Sequence, residues 1–134
     1  MSTVLINEIS AIKAGIDAWI EAVEGRDITL LPKVVVQDMD SVWIGAGAGD
    51  WLEGYESLEQ AMQGQNAALD DIHIEVSDEI IHISPQADMA WATNRWIFNA
   101  RMGDQTLALP LWCTWILEKR QDRWVIVHFH KSAK

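Results

Sequence analysis

The chain changes its hydrophobic period once, near residue 70, and this change restricts the fold more than any other feature. In the two long stretches before it, Thr3–Glu24 and Tyr55–Leu69, apolar residues recur at three- and four-residue steps, the spacing of one helix face. From Asp71 onward they recur at every second residue, the spacing of a strand that is apolar on one side. Helices first and long strands last, within 134 residues, give an α+β domain with helices on one side of an antiparallel sheet. One core and one domain, residues 1–134, are expected at this length.

In the first half, Leu5, Ile9, Ile12, Ile16, Trp19 and Val23 form the apolar stripe of a helix from Thr3 to Glu24. Ser2 or Thr3 can cap it, and Gly25 ends it. Asp27 can cap a short second helix through Ile28–Leu31, with Pro32 tolerated near a helix start. A first strand is expected over Asp38–Ile44. The run Gly45-Ala46-Gly47-Ala48-Gly49-Asp50 is a turn, Trp51–Glu53 a brief partner strand, and Tyr55–Leu69 a third helix.

In the second half, Ile72, Ile74 and Val76 alternate with polar residues, and Ile80-Ile81 interrupts the alternation, predicting a bulge near Ser77-Asp78. Long strands follow over Met89–Arg101, Thr106–Lys119 and Arg123–Ser132, with a tight turn at Gln121-Asp122. To bury the stripe of the long helix and their own inner face, the strands must curve around that helix. The expected shape is a cone with an internal cavity at its wide end.

In the closing strand, simple alternation puts Trp124, Ile126, His128 and His130 on one face and Val125, Val127 and Phe129 on the other. A two-residue turn at Gln121-Asp122 would pair Trp115 with His128 and Cys113 with His130.

A net charge of −10 argues against nucleic acid and anionic membranes, which attract clustered Lys and Arg. No apolar run reaches the ~20 residues of a membrane span. Without a signal peptide, and with one cysteine, Cys113, the expected compartment is the cytoplasm. Eight tryptophans against one tyrosine and two phenylalanines mean that large rings fill the interior or line a cavity.

The element order resembles that of the nuclear transport factor two-like (cystatin-like) α+β superfamily. The ending Trp124-Val125-Ile126-Val127-His128-Phe129-His130-Lys131-Ser132-Ala133 is similar to the end of SnoaL-like domains. It is also similar to that of the calcium/calmodulin-dependent protein kinase association domain, W-x-x-V-H-x-H-x-S. Leu52-Glu53-Gly54, Ala90-Trp91 and Thr114 share in the resemblance. It implies an apolar ligand inside the cone and a homodimer formed through the outer face of the sheet. It does not imply one chemistry, since the superfamily includes isomerases, dehydratases, cyclases and pure association modules. The place of the steroid isomerases' catalytic Asp falls near Gly45. Those of the association domains' pocket arginines fall at Trp115 and near Thr93, and that of their pocket His at Leu58. The resemblance therefore implies an apolar, Trp-lined pocket here.

The candidate pocket residues are Trp43, Tyr55, Trp91, Arg95, Trp115, His128 and His130, with Trp96 a further aromatic candidate. As a catalytic acid or base, the candidates are His128, Asp40 and Tyr55. The histidines serve either as a proton shuttle or as hydrogen-bonded structural groups. Asp38 is expected to be solvated or to cap a turn. Arg95 either pairs with an acid across the sheet or meets an anionic ligand, and parity sets it opposite Trp115 and His128. Cys113 is expected to be an inert buried thiol with no basic partner. The glycine run lacks the lysine of a phosphate loop, and neither metal nor cofactor is expected. Val125, Val127 and Phe129 are expected in the dimer interface. The expected function is binding of a small apolar ligand. The alternatives are an isomerase, dehydratase or cyclase acting on a carbonyl compound, using His128 or Asp40 with Tyr55 or Arg95, and a pure association module.

Overall fold

The computed structural model describes residues 3–134. Helix α1 spans Thr3–Glu24 and buries Ile12, Ile16, Trp19, Ile20 and Val23, the face set by the three- and four-residue steps. A cap by Ser2 lies outside the described residues. Asp27 accepts a hydrogen bond from the Thr29 backbone N–H at 3.0 Å and so caps a 3₁₀ helix, Ile28–Lys33, that contains Pro32.

Strand β1 is Val42–Ile44, shorter than the expected Asp38–Ile44. The reason is a turn over Met39-Asp40, closed by the Ser41 hydroxyl donating to the Asp38 carbonyl at 2.9 Å. Strand β2 is Trp51–Glu53 and helix α2 is Tyr55–Ala68. Gly54 precedes α2 with φ +84°, and a Cβ there would sit 3.1 Å from the Met39 carbonyl oxygen. Glycine is required at such a position. Four long strands follow: β3 Asp70–Ile83, β4 Met89–Met102, β5 Gln105–Arg120 and β6 Arg123–Ala133.

The strands form one curved, unclosed sheet in the order β2-β1-β6-β5-β4-β3. All neighbours are antiparallel except β1 and β6, which run parallel, Trp43 beside Phe129. β3 carries the expected irregularity between Ser77 and Ile80, with Asp78 at φ +54°. Gln121 and Asp122 both have positive φ, the geometry of a tight two-residue hairpin turn.

A bulge in β6 corrects the expected pairing. Leu117 pairs with Ile126 and Ile116 with His128, leaving Val127 without a partner. Beyond this extra residue the register shifts by one. Trp115 pairs with Phe129 rather than His128, and Cys113 with Lys131 rather than His130. A one-residue slip exchanges the faces. Phe129 and Lys131 therefore turn to the inner face, and His128 and His130 to the outer one. Phe129 is buried in the core rather than placed on the outside, Val125 is buried as well, and Val127 is half-buried. The same shift puts His128 on the face of Arg95, not opposite to it.

The core is a cluster of rings centred on Phe129. Its centroid lies 4.1 Å from Trp115, 5.1 Å from Trp19 and 5.4 Å from Trp96, while Trp43 lies 5.7 Å from Trp19. The tilted and edge-on geometries are those aromatic quadrupoles favour. Most of the buried indole N–H groups have partners, as burial demands. Trp43 donates to the Ser41 hydroxyl at 3.1 Å, and Trp124 to Glu8 at 2.6 Å. Trp115 donates to Asn94 at 3.2 Å. Asn94 donates in turn to Glu79, whose other oxygen takes a hydrogen bond from Lys13, so a polar chain runs from the core to the surface.

Candidate functional site

A cavity of about 170 Å³ opens between α2, the end of α1, β1 and the inner face of the sheet. Its walls are Trp19, Val23, Trp43, Ile44, Leu52, Leu58, Ala61, Met62, Trp96 and Phe129. The polar side chains reaching it are Asp50, Gln65 and Lys131, with Gly45 at the edge. Each element contributes for a local reason. The α1 stripe ends with Trp19 and Val23 facing the sheet. The parallel pairing of β1 with β6 sets Trp43 beside Phe129. The buried side of α2 supplies Leu58 and Met62.

The glycine run has a structural task here. Asp50 folds back so that its carboxylate accepts from the Gly47 N–H at 2.8 Å. A Cβ on Gly45 would lie 2.8 Å from that same side chain, so only glycine lets Asp50 close the loop against the cavity.

Lys131 is the site's one amine, brought inside by the bulge. Its Nζ lies 5.9 Å from the ring centroid of Trp96 and 5.6 Å from that of Phe98, within cation–π range. Among the described residues no carboxylate lies within ion-pair distance of it. Burial holds its pKa below the ordinary lysine range, countered more weakly by Cys113 and Asp50. Trp96, 1% exposed, has a buried indole N–H with no hydrogen-bond partner. The site thus presents one amine within walls of rings and aliphatic side chains.

Of the residues singled out from the sequence, Trp43 and Trp96 line this cavity. Trp115 lies behind it, fully buried against Phe129. Tyr55 stands in a separate, more open hollow of about 330 Å³ with Gln37, Met39, Glu53 and Glu56. Burial first, and then the Glu59 carboxylate, push its phenol up to about 12. Trp91 stacks on His82 at 5.0 Å on the outer face. Arg95 is on that face too, 3.6 Å from Asp78 in an exposed ion pair. His128 donates from Nδ1 to the Val42 carbonyl at 2.6 Å, since a carbonyl oxygen can only accept. His130 is exposed. Asp40 lies in the exposed turn before β1, and Asp38 pairs with Arg120 at 3.0 Å. Cys113 is buried and its thiol is pushed up to about 12 by burial, although, against expectation, a base stands across from it in Lys131. Among the described residues no group of three or more His, Cys, Asp or Glu is placed to hold a metal ion. No helix among them is long and apolar enough to cross a membrane.

Sequence reasoning did not find Lys131, Trp19 or Phe129 as site residues. The bulge was the missing signal: alternation resumed one residue late brings Phe129 and Lys131 inside together.

A curved, mostly antiparallel sheet wrapped around a helix, with a pocket at one end, defines a class of α+β cone folds. Within that class the chain belongs to the SnoaL-like domain family, whose model matches residues 12–134. It is similar to a nuclear transport factor 2-like superfamily protein from Salmonella enterica serovar Typhimurium, with 18% identity and a TM-score of 0.86 over 96% of this chain and 92% of that one. A candidate dehydratase of the same family from Streptomyces avermitilis gives 16% identity and a TM-score of 0.84, covering 96% of each chain. A candidate calcium/calmodulin-dependent protein kinase type II association domain from Thiobacillus denitrificans gives 22% identity and a TM-score of 0.73, over 91% of this chain and 94% of that one. At these identities the likeness establishes the fold. No protein of curated function matches the sequence significantly.

Proposed function

We propose that the chain binds a small, mostly apolar carbonyl compound in the cavity between α2 and the sheet. One observation carries this reading: aromatic and aliphatic walls surround a single amine, Lys131. A flat apolar body fills the space between the rings, and a carbonyl oxygen accepts from the Lys131 amine. Small pockets of this composition draw affinity from apolar burial and orientation from a few polar groups. Tryptophan fluorescence titrated with cinnamaldehyde and with phenylacetone tests the reading. Saturable quenching is expected, and Ala61→Phe, which fills the cavity from α2, abolishes it. Equal quenching by wild type and Ala61→Phe would remove the cavity as the site.

The outer face of the sheet supports a second reading, self-association. Trp91 is 44% exposed, Trp112 51% and Ile97 37%, all on the face of β4 and β5 turned away from α1. Exposed apolar side chains gathered on one face suit a partner surface, and a second copy of this chain is the proposed partner. Light scattering on Trp112→Glu tests it. A dimer in wild type and a monomer in the variant is the expected pair of results, and an unchanged mass would send the interface elsewhere.

A further inference from the structure

The placement of Lys131 points beyond binding. We propose that its amine forms a reversible imine with an aldehyde or ketone held in the cavity, so that the site captures its carbonyl ligand covalently. The inference rests on the proposed function, since it takes that cavity as the ligand site.

The five lysines are not alike. Lys13 is paired with Asp17 and Glu79, and Lys119 with Glu8 at 2.7 Å. Lys33 and Lys134 stand exposed at the surface. Lys131 points into a space walled by rings, with Trp96 and Phe98 as its near neighbours and no carboxylate within ion-pair distance among the described residues. Burial favours the neutral amine, which is the nucleophile, over the ammonium ion, against the cation–π pull of the two rings and the weaker pull of Cys113 and Asp50. The depressed pKa of Lys131 agrees with this placement.

The chemistry needs no oxidant and no cofactor. The nitrogen lone pair of Lys131 attacks the carbonyl carbon, and the carbonyl oxygen takes up a proton to give a carbinolamine. The hydroxyl takes up a second proton, the C–O bond breaks with loss of water, and nitrogen gives up its remaining proton. The net change is amine plus carbonyl to imine plus water. The apolar walls favour a flat, conjugated carbonyl compound over a polyhydroxylated one.

Cinnamaldehyde with sodium cyanoborohydride tests the proposal, because reduction freezes an imine as a stable secondary amine. Peptide mass mapping of wild type is expected to place the adduct predominantly on Lys131, ahead of Lys33 and Lys134. Lys131→Met is expected to lose the adduct and to bind cinnamaldehyde more weakly, by apolar burial alone. Ala61→Phe keeps Lys131 and is expected to lose both. Saturable binding with label spread evenly over Lys33, Lys134 and Lys131, or label on Lys131 undiminished in Ala61→Phe, overturns the imine. The first of these results leaves the binding reading standing. Absence of saturable binding in wild type overturns both.

Discussion

Strands β4 and β5 each carry one tryptophan inside and one outside, and the two pairs have opposite fates. Trp96 and Trp115 are 1% and 0% exposed, whereas Trp91 and Trp112 are 44% and 51% exposed. Residue type and strands are the same. The difference is an odd spacing, five residues on β4 and three on β5, along a ladder that pairs without irregularity from Met89 to Met102. An odd step on an unbulged strand changes face. The inner pair then needs what the outer pair does not. Trp115 requires Asn94 to accept its N–H, and Asn94 is anchored through Glu79 and Lys13. Trp91 requires only a stacking neighbour, His82. Burial in this sheet is a matter of parity first and hydrophobicity second.

Removing the residue that resets parity should have the largest effect. Deletion of Val127 closes the bulge and returns Phe129 and Lys131 to the outer face, taking the centre out of the ring cluster. Loss of the cooperative denaturant transition is expected, and a variant that unfolds cooperatively with near wild-type stability would mean that the bulge does not set the faces. Next, Trp115→Ala should cost about 3–5 kcal/mol and Trp112→Ala no more than about 0.5 kcal/mol in monomer stability, measured by urea unfolding. Similar losses at both sites would break the contrast between the faces. Asn94→Ala leaves the Trp115 N–H and a Glu79 oxygen without their partner and should cost about 1–3 kcal/mol.

Two smaller effects depend on pH. Glu8 is held below the ordinary carboxylate range by its hydrogen bond from Lys119 first and Trp124 second. A depressed carboxylate stabilises the fold above its ordinary value and loses that contribution as pH falls through the folded one. Glu8→Gln should therefore cost about 1 kcal/mol near neutrality, with the gap narrowing in acid. Lys131 has the opposite consequence, being a base with a depressed pKa. The folded state releases its proton first, so stability rises with pH from the folded value toward the ordinary ~10.4. Lys131→Met should be more stable than wild type near neutrality. That advantage should shrink in alkali, which parallel melting curves can follow.

The fold was largely legible because its periods are clean. The stripe from Ile12 to Val23, the Ser77-Asp78 bulge and the Gln121-Asp122 turn all leave marks on the sequence. The parallel pairing of β1 with β6 left none, since three-residue β1 has too little pattern to name a partner. The site was less legible for one reason. Val127 is an apolar residue among apolar residues, so nothing in the run Val125-Ile126-Val127 marks where alternation skips. From there the inner and outer sets exchange, and His128 and His130 replace Phe129 and Lys131 in a simple reading. Arg95 and Trp115 lie on unbulged strands, and their parity was read correctly.

The position of β6 also bears on how the chain comes off the ribosome. The strand lies between β1 and β5, and Val42 meets His128 across 86 residues. Every other element is synthesised before the strand that joins the two parts of the sheet and supplies Phe129 to the rings. Until then the edges of β1 and β5 are open and the tryptophans lack their centre. Contacts so distant in sequence slow folding and prolong aggregation-prone intermediates. The acidic surface of the chain, at −10, would then do its most useful work during synthesis, keeping nascent copies apart while they wait for their keystone.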